Sequence, residues 1–195
     1  GLPMKTIRVY DPVQQLAIVD PDVLDRFGID AIELGRVFAL EDIHWKDWVL
    51  PDGTPCQMPV WALPERELNR WVLRSRTGRV IAQMPDGALF FEQSFYPFAE
   101  GKADHDRILD AFSECMWTTV ASPPGPLVEG PEGQRKFTEG AKRLRQQTDK
   151  AIIGLFGGNL LEIGQFLYRN DNFLMLLAGD PARAHDFLEK LVTIH

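Results

Sequence analysis

Two short stretches hold the side chains best placed for chemistry. In IDAIELGRV, Ile29 to Val37, an apolar run delivers Glu33, Gly35 and Arg36 at its C-terminal end. In AIIGLFGGNLLEIGQFLYR, Ala151 to Arg169, a second apolar run delivers Gly157, Gly158 and Asn159, and Glu162 follows one turn into a helix. A carboxylate in an apolar strand is costly to bury without a partner. Glu33 therefore forms a structural ion pair, points to a polar rim, or faces a ligand. An arginine at a strand end can clamp a carboxylate through two parallel N–H bonds, the role open to Arg36. Gly157-Gly158-Asn159 before a helix can aim backbone N–H groups at an anion. The competing reading is a tight turn with Asn159 as an ordinary helix cap. The corner lacks the third glycine of a dinucleotide fingerprint and the Lys-Ser/Thr of a P-loop.

The remaining candidates carry weaker signals. None of the four histidines has a metal partner at ligand spacing. His105 and His185 fall among charged neighbours on helices and read as solvated, His44 lies in the aromatic stretch DIHWKDW, and His195 is the last residue. Cys56 and Cys115 fit no metal spacing and read as reduced thiols. Trp45, Trp48, Trp61, Trp71, Phe90 and Phe91 can form an aromatic platform, but cross-strand packing uses the same residues. Lys136, Lys142, Arg143 and Arg145 are interleaved with acids and read as a solvated helix face. No Ser-His-Asp or Cys-His arrangement stands out.

The elements that must position these groups alternate. Asp11 with Pro12 and Gln14 predicts a capped helix. Asp20-Pro21-Asp22 caps a second, which Gly28 ends. Ile29 to Val37 then reads as a buried parallel strand. From about Trp45 to Phe95 the pattern changes: Pro51-Asp52-Gly53, Arg76-Thr77-Gly78 and Pro85-Asp86-Gly87 separate apolar-aromatic runs, predicting an antiparallel meander inserted into an α/β body. Helices are predicted over 104–120, with Ile108, Phe112, Cys115 and Met116 inward, and over 132–150, with Phe137, Ala141 and Leu144 as a thin stripe. A strand over 151–156 and helices over 160–168, 173–177 and 181–195 follow. The last presents Phe187, Leu188, Leu191 and Val192 inward and has no terminating signal.

Bulk properties exclude some functions. The 195 residues carry a net charge of −7, against a nucleic-acid partner, which favours a basic face. No apolar run approaches the roughly 20 residues of a membrane span, and the start lacks the layout of a signal peptide. A cytoplasmic protein is expected.

The order of segments carries a resemblance. VYDPVQQLAIVDPDVLDRFGIDAIELGR, the W-x-x-W and PDG hairpins, MPDGALFFEQSFYPF, TDKAIIGLFGG and DNFLMLLAGDPARAHDFLEKL together resemble the uroporphyrinogen decarboxylase superfamily, nearest the branch that includes corrinoid-linked methyltransferases. The resemblance runs from about Val9 to the end. It implies an α/β fold, a partial (β/α)8 TIM barrel with the antiparallel meander of about 45–95 inserted. Residues 1–195 would be its N-terminal to middle part, so the chain looks like a fragment. Half a ring leaves strand edges open and a core unfilled, which predicts a homo-oligomer or pairing with the missing half.

The resemblance also implies a chemistry. Members that decarboxylate uroporphyrinogen hold pyrrole N–H groups with an aspartate at about Val37 and use a tyrosine at about Gln165. With valine and glutamine there, corrinoid-linked methyl transfer is expected ahead of tetrapyrrole decarboxylation, and a non-catalytic ligand-binding domain is the third reading. Glu33, Arg36, Gly157, Gly158, Asn159, Glu162 and Gln165 are the expected substrate-binding residues. No metal site or cofactor is expected within this chain; zinc would belong to the C-terminal half. The expected partners are a small-molecule or tetrapyrrole or corrinoid ligand and a corrinoid protein, with neither nucleic acid nor membrane.

Overall fold

Asp11 does not cap a helix. Its Oδ1 accepts from the backbone N–H of Val13 (2.9 Å) and of Gln14 (3.1 Å), closing a turn instead. An aspartate can satisfy nearby N–H groups in either way, and tertiary context chooses. The chain doubles back at this turn, so β1 (Ile7–Asp11) pairs antiparallel with β2 (Leu16–Ala17).

The computed structural model describes residues 5–38, 41–100, 103–120, 130–154 and 159–195. After β2 come α1 (Pro21–Arg26), β3 (Ala31–Glu33), β4 (Trp45–Val49), β5 (Pro55–Pro59), β6 (Glu65–Glu67), β7 (Arg70–Arg74), β8 (Val80–Pro85) and β9 (Glu92–Gln93). Then follow α2 (Ile108–Phe112), α3 (Met116–Thr119), α4 (Gly130–Gln147), β10 (Ala151–Ile153), α5 (Leu160–Tyr168), α6 (Asn170–Gly179) and α7 (Pro181–Ile194). They form two compact units. One holds Gly1–Leu63, Gly87–Phe91 and Val120–Leu155; the other holds Pro64–Asp86, Glu92–Thr119 and Phe156–His195.

The first unit contains a mixed sheet in the order β2-β1-β5-β4 and a two-stranded sheet of β3 and β10. Its hairpin turns at Gly53, whose φ of +87° admits glycine without the penalty a side chain would meet. β1 and β5 run parallel, with Ile7 opposite Cys56 and Arg8 opposite Gln57. Val9, Cys56 and Met58 form a buried cluster backed by Trp48, Leu50 and Leu63.

The second unit contains the antiparallel sheet β6-β7-β8-β9, in chain order. Its core gathers Phe98, Ile108, Cys115, Leu167, Tyr168, Phe173, Phe187 and Leu191. Asp180 caps α7 by accepting from the Arg183 N–H at 3.1 Å. Ala184, Phe187 and Leu191 then fall on one buried face at helical spacing, while Val192, expected inward, is exposed. The expected helix over 104–120 is broken into a 3-10 turn at His105–Arg107 followed by α2 and α3.

The expected partial (β/α)8 TIM barrel is overturned. Among the described residues the sheets have four, two and four strands, and β3 and β10 pair only with each other. A barrel strand needs a neighbour on both sides. The apolar run expected to extend to Val37 is strand only to Glu33, and Leu34–Phe38 coil into a 3-10 turn. An apolar run looks the same in sequence whether it joins a closed ring or a short ladder. Among the described residues no helix is long and apolar enough to cross a membrane.

Candidate functional site

The two candidate strands do lie side by side. β3 and β10 run parallel with Ala31 opposite Ala151, Ile32 opposite Ile152 and Glu33 opposite Ile153. Ile32 is buried, and Glu33 is half-buried at the C-terminal end of its strand. Glu33 is within electrostatic reach of Tyr10 in β1. Burial, and then the negative charges of Asp11 and Glu33, push the Tyr10 hydroxyl above its ordinary range. A neutral phenol beside carboxylates can donate a hydrogen bond to an acid or carbonyl, but it is a poor nucleophile.

Past Glu33, Leu34 and Val37 serve packing. Arg36 lies in the 3-10 turn Leu34–Phe38. Val37 faces Gly140 of α4, where an added Cβ would lie 2.7 Å from the Val37 Cβ. Glycine at 140 is what lets helix and turn approach this closely. Ahead of the corner, an added Cβ at Gly154 would lie 3.3 Å from the Leu34 side chain, so this stretch packs against the turn that follows β3.

Gly157 and Gly158 lie outside the described residues. Asn159 precedes α5 at the capping position, yet its side chain makes no cap hydrogen bond. Its carbonyl accepts from the Ile163 N–H at 2.9 Å, as a residue entering a helix does. Glu162 is exposed in the first turn. Gln165 donates through Nε2 to Asn170 Oδ1 at 2.8 Å. Glu33 and Arg36 thus belong to the first unit, and Asn159, Glu162 and Gln165 to the second.

Sequence reading missed one polar constellation. His105, expected to be solvated, is buried in the second unit's aromatic core. Its Nδ1 stands 2.5 Å from Asp186 Oδ2, and its Nε2 bonds the Tyr168 hydroxyl. With Asp186 accepting the Nδ1 proton, Nε2 is free to accept from the Tyr168 O–H. The Asp–His–Tyr order matches relays that orient a catalytic imidazole. Here, however, the imidazole packs against Phe98 and Phe187, with ring centroids 6.2 and 5.3 Å away, so it ties helices together. Its partners lie far away in sequence, so no local pattern announces the cluster. His185, in contrast, is exposed as expected, 3.6 Å from Glu189.

Both cysteines are free and buried. Burial raises both thiols, Cys56 to about 11, so neither is a ready nucleophile near neutral pH. Among the described residues no group of three or more His, Cys, Asp or Glu side chains is arranged to hold a metal ion. Comparison with family models, curated proteins and solved structures gives no match.

Proposed function

We propose that this chain is part of a cytoplasmic enzyme similar to the uroporphyrinogen decarboxylases, acting in corrinoid-linked methyl transfer in preference to tetrapyrrole decarboxylation. The preference rests on one observation: the positions at which that resemblance would need a pyrrole-binding aspartate and a tyrosine hold residues engaged elsewhere. Val37 has no acceptor to offer and is packed on Gly140. Gln165 directs its Nε2 donor to Asn170.

In this reading Glu33, with Tyr10 beside it, orients the small molecule, and a corrinoid protein is the partner. Zinc, which the resemblance associates with the methyltransferase branch, finds no fitting group among the described residues. The same committed positions also favour a second reading, a ligand-binding domain without catalysis.

The test incubates the protein with methylcobalamin and a thiol acceptor, following the loss of the methyl-cobalt absorption, alongside carbon dioxide release from uroporphyrinogen. Demethylation without carbon dioxide release is the expected result. Carbon dioxide release would overturn the preference. Saturable methylcobalamin binding with no transfer would move the assignment to the binding domain.

A further inference from the structure

We propose that a cavity in the first unit, bounded by the β1–β2 edge, α1 and α4, binds an amphipathic monocarboxylic acid whose carboxylate sits on Arg143. The inference does not rest on the proposed activity.

The cavity measures about 620 Å³, within the size range of small-molecule sites. Ile7, Ile18, Val23 and Leu144 supply apolar wall, so a ligand gains most by burying hydrocarbon there. Three charged side chains line it: Arg8, Asp20 and Arg143. Two of them are neutralised. Arg8 bonds Asp42 and donates through Nε to Gln57 Oε1 at 3.1 Å. Asp20 lies 3.4 Å from Lys5 Nζ.

Arg143 is different, having no opposite charge within ion-pair distance among the described residues. Of the other cations of its helix, Lys142 does not line the cavity, and the remaining three are already engaged. Arg135 holds Glu132 and Glu139, Lys136 stands 3.8 Å from Glu41, and Arg145 donates to the carbonyls of Thr148 and Lys150. The cavity therefore presents one uncompensated guanidinium beside an apolar chamber. A single carboxylate on a hydrocarbon body complements that arrangement. A phosphate would face one arginine and the nearby carboxylate of Asp20, and would leave the apolar wall unused.

The probe is octanoate, titrated calorimetrically into the intact chain, with octan-1-ol and inorganic phosphate as controls. Saturable octanoate binding is expected, with no measurable phosphate binding and octan-1-ol weaker by about tenfold. Arg143→Gln is expected to weaken octanoate by about tenfold, the loss of one charge-assisted hydrogen bond. Val23→Phe, which fills the chamber, is expected to abolish binding while the circular dichroism spectrum keeps its native shape. Octanol binding as tightly as octanoate, unchanged affinity in Arg143→Gln, or unchanged affinity in Val23→Phe would each overturn the proposal. So would phosphate displacing octanoate.

Discussion

Gly140 of α4 and Val37 of the preceding 3-10 turn meet so closely that a Cβ on the glycine would stand 2.7 Å from the valine Cβ. The valine Cβ is anchored to the backbone and cannot swing aside. Gly140→Ala is therefore expected to destabilise the first unit. Overpacking costs about 1–3 kcal/mol, against a gain of up to about 1 kcal/mol in helix propensity. Chemical denaturation of Gly140→Ala, Val37→Gly and the double variant measures the coupling, since only glycine at 37 removes the clashing Cβ. If the packing account holds, Gly140→Ala costs less in the Val37→Gly background than in the parent protein. An equal cost in both backgrounds would refute the contact.

Leu68 turns the hairpin between β6 and β7 with φ +49° and is 96% exposed. A leucine in the left-handed region pays about 1–2 kcal/mol, and here no buried contact repays it. Leu68→Gly is expected to raise stability by about 0.5–1 kcal/mol after the entropy cost of glycine. A lowered thermal midpoint would mean that Leu68 has a contact that its exposure hides.

Asp186 carries a pH dependence. The hydrogen bond from His105, with help from Lys190, holds its carboxyl below the usual range. A depressed carboxyl stabilises the fold above the unfolded value, near about 3.9. That stabilisation is lost as pH falls through the lower folded value. Asp106 enters through Lys190, which it also bonds. Melting curves from neutral to acid pH should show Asp186→Asn less stable at neutral pH, with a shallower acid limb than the parent protein. Parallel limbs would remove Asp186 from the account.

Tyr10 reports on Glu33. Its hydroxyl is raised by burial first and by the charges of Asp11 and Glu33 after it. Removing one charge in Glu33→Gln should bring Tyr10 down towards its ordinary range, near about 10. The tyrosinate absorbance in an alkaline titration, compared with Tyr10→Phe, isolates that transition. An unmoved transition would place Glu33 out of reach of the phenol.

Cys56 and Cys115 should resist alkylation by iodoacetamide at about pH 8 in the native protein and react together on unfolding. Burial both shields the sulfurs and disfavours the thiolate, which is the reactive form. Rapid native labelling of Cys56 would contradict its raised value of about 11.

The sequence determined what short-range interactions decide. Turns with glycine at a required positive φ appear at Gly53 and Gly78, and each joins antiparallel strands. Asp180-Pro181 starts α7, whose helical spacing put Phe187 and Leu191 inward. The apolar strands around Ile32 and Ile152 were legible too, while their direct parallel pairing came from the fold. At the site, the position of Glu33 at a strand end could be read from the run that precedes it.

Tertiary structure alone decided the rest. Whether Asp11 capped a helix or closed a turn, where β3 stopped, and how many neighbours β3 and β10 acquired all depend on residues distant in sequence. β1 joins β5, and His105 finds Asp186 and Tyr168, through contacts that leave no local pattern. The physical reason is that propensities, caps and turns act over a few residues. Partner choice is instead a comparison of burial and hydrogen bonding across the whole folded chain.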